Sequence, residues 1–143
     1  MALPRPEPGL VLSYGYLWRR EAASGITEGR KTRPVVVVLA LETEAGKPPR
    51  VTVAPVTHAR PDNPAVAIEL PPKVKAALGL DHAPSWIMAD EVNQFDWPGF
   101  DLRPIPGRRG AFAYGFLPPR LYSALIERVR ALAVERRLRL TAR

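Results

Sequence analysis

The sequence predicts a mainly β fold with a C-terminal α-helix, a small and strongly curved antiparallel sheet or barrel. Three observations carry that expectation. Short apolar runs rich in β-branched residues recur along the chain. Most of the 17 prolines fall between those runs rather than inside them. A sustained helical period begins only after Pro118-Pro119.

Leu10 to Leu17 mixes β-branched and aromatic residues behind the turn signal Pro8-Gly9 and reads as a strand. From Arg19 to Thr32 the chain turns polar, with Gly25 and Gly29 among Arg19, Arg20, Arg30 and Lys31. That pattern predicts a long loop, and loops of such length in a compact domain are commonly functional. Val35 to Leu41 is a continuous apolar run, suited to a strand buried on both faces. A hairpin-like connection over Thr43–Pro49 leads to the next strand, Arg50 to Val56. Ala65–Leu70 is a further short strand between proline clusters. Pro71 to Gly79 reads as one or two helical turns, opened by proline and closed by glycine. Ser85–Ala89 and Asp101–Ile105 complete a set of about five or six strands. Leu121, Leu125, Val129 and Leu132 then recur at helical spacing with arginines on the opposite side, and the helix is expected to run on to Leu140.

At 143 residues the chain is expected to form a single domain spanning 1–143. Its 46% hydrophobic content argues against disorder. No run approaches the ~18 apolar residues of a membrane span, and Met1-Ala2-Leu3-Pro4-Arg5-Pro6 lacks the apolar core of a signal peptide. Zero cysteines remove disulfides, thiolate nucleophiles and cysteine-ligated zinc, and two histidines disfavour a histidine-rich metal site. A cytoplasmic protein without metal or other cofactor is the simplest expectation. The net charge of +7 is unevenly spread. Residues 1–60 carry nine Lys/Arg against five Asp/Glu, residues 61–118 five against seven, and residues 119–143 seven against two. Basic ends around an acidic middle suit a polyanion at one face, although arginine-rich helices are often no more than solvated surface.

The residues with chemical potential sit at strand ends. Arg33-Pro34 opens one apolar run, and Pro55-Val56-Thr57-His58 closes the next. A guanidinium can donate two parallel hydrogen bonds to phosphate oxygens, and the following proline biases Arg33 toward extended backbone. Capping of a sheet edge is the blander account. Thr57 can donate to a non-bridging oxygen as charge develops there, and histidine is the side chain suited to proton transfer near neutrality. Neighbours on a regular strand face opposite ways, so His58 joins Thr57 only if the chain turns between them. Glu28 could act as a base or orient an arginine. Arg30 and Lys31, with Arg19 and Arg20, are candidate phosphate-positioning groups. Trp18, at the loop entrance, could stack on an unpaired base. Trp97, Phe100 and Tyr16 read as core, and Asp90-Glu91 as structural or as contacts for the basic residues. No dinucleotide, phosphate-loop or serine-elbow motif is present.

In order and spacing these segments resemble the MazF/PemK family of toxin–antitoxin ribonucleases. Pro8-Gly9-Leu10-Val11-Leu12 resembles its opening Gly-Asp-Ile-Val strand, with Leu10 replacing the acidic residue. Thr27-Glu28-Gly29-Arg30-Lys31-Thr32-Arg33-Pro34 resembles its Ser-Glu-Gln-x-Gly-x-Arg-Pro segment, and Val51 to Thr57 its strand ending in Pro-Ile-Thr or Ala-Ile-Thr. Trp86 to Val92 and Gly115-Phe116-Leu117 are similar to the later barrel strand and the approach to the final helix. The first loop is longer than the family's, His58 is not a standard member of its site, and the aromatic, Pro/Gly-rich insert Asn93–Gly110 lies outside its pattern.

The resemblance implies an SH3-like barrel, a homodimer, and Arg33 and Thr57 as the catalytic pair; by residue type, Glu28 or His58 is expected to handle the remaining proton transfer. It implies a metal-independent endoribonuclease that cleaves single-stranded RNA to a 2′,3′-cyclic phosphate and a 5′-hydroxyl. Its cognate antitoxin would block the RNA groove with a disordered tail. The alternative from another class is a non-catalytic toxin on the same barrel, a CcdB-like gyrase poison acting through the Ile126–Leu140 end of the helix.

Overall fold

The computed structural model describes residues 3–143. Eight strands form a sheet that is antiparallel except for one pair: β1 (Leu10–Gly15), β2 (Thr32–Leu41), β3 (Arg50–Thr57), β4 (Ala67–Glu69), β5 (Trp86–Met88), β6 (Glu91–Asp96), β7 (Ala113–Phe116) and β8 (Arg139–Ala142). Three α-helices accompany them: α1 (Arg19–Ala23), α2 (Pro72–Leu78) and α3 (Pro119–Val134). Pairing runs β4-β5-β3-β2-β1-β7, with β6 attached to β3 and β8 to β6. The two ends of that path do not meet, so the sheet is open.

Val35–Val38 of β2 are buried on both faces because the sheet carries a cluster on each, whereas Leu39 and Leu41, at the end of the same apolar run, are exposed. Val36 and Val38 join Val11, Val56, Ile87 and the α3 residues Leu125, Val129 and Leu132. Val35 and Val37 join Leu12, Tyr14, Tyr16, Val51 and Phe95. Alternate residues of one strand thus feed two cores, which is why the run carries no polar alternation. β3 divides its outer edge between two partners: Arg50–Val53 pair with β6, and Val56 and Thr57 with β5. Pro55, which has no N–H to give to a ladder, falls between them.

Several boundaries differ from the sequence reading. The polar stretch after Trp18 contains α1, whose Glu21 carboxylate accepts the Trp18 backbone N–H at 3.1 Å. Asp101–Ile105 is not a strand; Leu102 makes only a single bridge with Tyr14. Ala65–Leu70 splits into a 3-10 turn, Pro64–Val66, and β4. The segment that opens the insert is β6, and β7 was not anticipated as a strand. The final helix stops at Val134 rather than continuing to Leu140. Arg136 then takes a φ of 59°, and β8 runs parallel to β6, pairing Glu91 with Arg139 through Gln94 with Ala142. Among the described residues no helix is long and apolar enough to cross a membrane.

Candidate active site

β2 and β3 bring the two strand-end residues together. Their register pairs Val37 with Val53, Val36 with Ala54 and Val35 with Pro55. Continued by two residues, it sets Arg33 across from Thr57 on the same face of the sheet. Both line a cleft of about 660 Å³ that also takes His58, Lys31 and Arg20. β3 ends at Thr57, and the chain bends at His58. The Ala59 N–H donates to Thr57 Oγ1 at 3.1 Å across that bend, a local turn typical of threonine. The bend removes the alternation that would have sent His58 to the other face. Because Thr57 Oγ1 accepts in this contact, its own proton stays free to be donated outward.

Arg33 is half-buried, with its guanidinium 5.1 Å from the centre of the Trp18 ring. Its Nε is buried with no hydrogen-bond acceptor. Burial pulls its pKa below the ordinary arginine value; nearby Glu21 opposes this and Arg20 adds to it. A partly desolvated cation on the cleft wall is well suited to an anion that enters the cleft.

The loop that delivers Arg33 is held by the insert. Asp101, from the segment after β6, accepts the Gly29 N–H at 2.9 Å. Arg103 donates to the Gly29 carbonyl at 2.7 Å and to Asp101 at 3.0 Å. The Gly29 α-carbon lies so close to the Gly15 backbone that any Cβ there would overlap it. Asp101 also pairs with Arg143, whose side chain is almost wholly buried and donates further to Gly15 O and Asn93 Oδ1, both at 3.0 Å.

The remaining candidates are distributed differently. Glu28 is exposed and does not line the cleft; the carboxylate beside Arg33 is Glu21. Arg30 pairs with Glu21 at 3.7 Å and lies outside the cleft lining. Arg19 lines a second, smaller cavity with Leu138, Arg139 and Leu140. Trp18 is only 8% exposed, and two guanidiniums, from Arg20 and Arg33, lie near its ring. The expectation of a base-stacking tryptophan is therefore corrected: Trp18 supports Arg33 from within the core. Among the described residues no group of three His, Cys, Asp or Glu side chains is arranged to hold a metal ion.

The sequence reading missed the opposite wall of the cleft. α2 ends at Gly79, whose φ of 73° reverses the chain and permits the Leu80 N–H to reach the Lys75 carbonyl at 2.9 Å. The reversal presents Asp81 to the cleft. Asp81 is held below the usual carboxylate range chiefly by Lys75, with His58 contributing. Arg108 and Tyr114 complete this side, and burial raises the Tyr114 pKa. Nothing in the sequence pattern announced that Lys75, on a short polar helix, would be buried.

A single carboxylate facing Arg33, Lys31, Arg20 and Arg108 makes the cleft strongly cationic. The sequence profile described as PemK-like, MazF-like toxin of type II toxin–antitoxin systems matches residues 20–100. The chain belongs to this family. The match contains Arg33, Thr57 and His58, and it stops before β7, α3 and β8. No curated protein and no solved structure gives a significant match. Membership in a two-component system implies an antitoxin partner, and the PemK/MazF-like toxins are in general RNA-cleaving proteins.

Proposed function

We propose that this PemK/MazF-like toxin is a metal-independent endoribonuclease that cleaves single-stranded RNA, leaving a 2′,3′-cyclic phosphate and a 5′-hydroxyl. The single observation carrying the reading is the shared cleft of Arg33 and Thr57, reached from the ends of two adjacent strands. The 2′-oxygen attacks the neighbouring phosphorus in line, and the bond to the 5′-oxygen breaks. Arg33 neutralises charge on the non-bridging oxygens and supplies the proton to the leaving oxygen. Thr57 donates its free hydroxyl proton to the same phosphate, and His58 accepts the 2′-hydroxyl proton. Lys31 and Arg20 at the cleft bind flanking phosphates.

The same reading takes the open, branched sheet as a small SH3-like barrel, formed by the single domain 1–143 and working as a cytoplasmic homodimer. A segment of the cognate antitoxin occupies the cationic cleft in place of RNA. Incubation of the purified protein with a long RNA in EDTA tests the assignment. Discrete fragments ending in cyclic phosphate are expected. Intact RNA, or cleavage that requires added metal, would overturn it.

A further inference from the structure

The cleft contains a hydrogen-bonded relay that the Arg33/Thr57 pair does not use. His58 Nε2 lies 2.9 Å from Asp81 Oδ2 and 3.1 Å from Oδ1. Asp81 Oδ1 accepts from Lys75 Nζ at 2.9 Å and from the Ala83 N–H at 3.2 Å. Lys75 is 5% exposed, and its Nζ also donates to Ser85 Oγ at 2.6 Å and to the Ala83 carbonyl. The three protons of an ammonium are therefore matched by three acceptors within the protein. Lys75 is not available to a ligand; it fixes the Asp81–Ser85 turn. An ionised carboxylate can only accept, so the Nε2 that faces Asp81 must carry the hydrogen. A neutral imidazole has one such hydrogen, which leaves Nδ1 as a lone-pair acceptor. Among the described residues no side chain hydrogen-bonds to Nδ1. Both members of the His58–Asp81 pair are more than half exposed, so the contact contributes little to stability. Its consequence is tautomeric.

We infer that Asp81, held by Lys75, is a positioning residue that fixes His58 in the Nε2–H tautomer, so that Nδ1 is the atom that takes the 2′-hydroxyl proton. This rests on the nuclease reading above and specifies its base. The O2′–P bond forms as the P–O5′ bond breaks; the 2′-hydroxyl proton goes to Nδ1, and the departing 5′-oxygen takes its proton from Arg33.

Asp81→Asn and Asp81→Ala separate this from a purely structural role. In the asparagine variant Lys75 and the Ala83 N–H, both donors, retain the amide oxygen, and the NH₂ group is turned toward His58. The nearer neighbour of Nε2 is then a donor, and Oδ1, at 3.1 Å, is already shared by Lys75 and the Ala83 N–H; the balance shifts to the tautomer with the hydrogen on Nδ1, and the base is lost. The alanine variant only releases the ring. Asp81→Asn is expected to lower kcat by ~10²-fold, the scale of general-base catalysis, with KM unchanged, and Asp81→Ala by distinctly less. Nitrogen-15 spectra of the neutral imidazole should show Nε2–H in the wild type and Nδ1–H in Asp81→Asn. Equal kcat for the two variants, or an Nδ1–H wild type, would overturn the inference. Full activity of Asp81→Asn beside an inactive Arg33→Ala would sink the relay and leave the nuclease standing. A wild type that does not cleave RNA would sink both the nuclease and the relay, whichever tautomer the spectra show.

Discussion

Arg33→Ala separates function from stability, because the side chain's two contributions to folding have opposite signs and nearly cancel, while its proposed contribution to the rate does not. In the folded protein the side chain gains a cation–π contact with Trp18 at 5.1 Å, worth about 0.5–1 kcal/mol at a partly exposed site. Against this stands a buried Nε–H without an acceptor, a defect that costs about 1–3 kcal/mol when fully desolvated. Arg33 is only half-buried, so the lower part of that range applies and the terms largely offset. The alanine variant should keep its folding free energy within ~1 kcal/mol of wild type. On the proposed mechanism the same guanidinium faces a doubly charged phosphorane, and losing one preorganised donor of this kind costs ~10²–10³ in rate. Single-turnover cleavage of RNA, paired with urea denaturation of the same preparation, reads both quantities. Arg33→Lys restores the charge but not the two parallel donors, and should recover only part of the rate. Cleavage within a few-fold of wild type in Arg33→Ala would refute the catalytic assignment. An unfolded variant would refute the argument that this arginine contributes little to the fold.

Arg143→Ala should destabilise the protein by about 3–5 kcal/mol in urea denaturation, since it leaves Asp101 buried beside Gly29 with a principal cationic partner removed. Gly29→Ala forces a Cβ into the Gly15 backbone; a loss of about 1–3 kcal/mol is expected, and activity at permissive temperature should fall further because the loop leading to Arg33 shifts. Glu91 accepts from Tyr16 Oη at 3.0 Å and from the Arg19 N–H at 3.1 Å, and burial raises its pKa above the ordinary glutamate value of 4.5. A raised folded-state pKa means the native state binds the proton more tightly, so this contribution is full below 4.5 and is lost as pH rises through the folded value. Glu91→Gln should therefore flatten the fall in thermal stability on the alkaline side of 4.5 while keeping both acceptor contacts, as melting curves across pH would show.

Legibility in the sequence followed the range of the interactions involved. β2, β3 and the start of α3 were readable because their signals are local: an unbroken β-branched run, a proline-flanked return, and Leu125, Val129 and Leu132 at helical spacing. β6 and β8 were not, because Glu91–Asp96 and Arg139–Ala142 carry little apolar pattern and exist through pairing with β3 and with each other. The Arg33/Thr57 pair was visible because antiparallel neighbours present their adjoining ends together. Lys75, Asp81 and Asp101 were invisible for the opposite reason. Their roles depend on contacts such as Asp101 to Gly29 and Asp81 to His58, which span long stretches of chain with no periodic trace.

The insert Asn93–Gly110 shows how a departure from the family pattern can support the site instead of displacing it. A long basic loop ahead of Arg33 would by itself leave the guanidinium poorly oriented, since a misplacement of about 1 Å can cost ~10² in rate. Asp101 and Arg103 hold both the N–H and the carbonyl of Gly29, and Arg143 neutralises Asp101 from the other side. Five internal acceptors take up the terminal nitrogens of Arg143: Asp101, Tyr14, Gly15, Asn93 and Thr27. Lys75 likewise has its donors matched inside the protein. Arg33 differs in lining the cleft; its buried Nε, like that of Arg143, meets no acceptor. The terminal nitrogens of Arg143 and the ammonium of Lys75 are committed to bracing the fold, whereas Arg33, at the strand junction, faces the cleft that the proposed reading assigns to a phosphate.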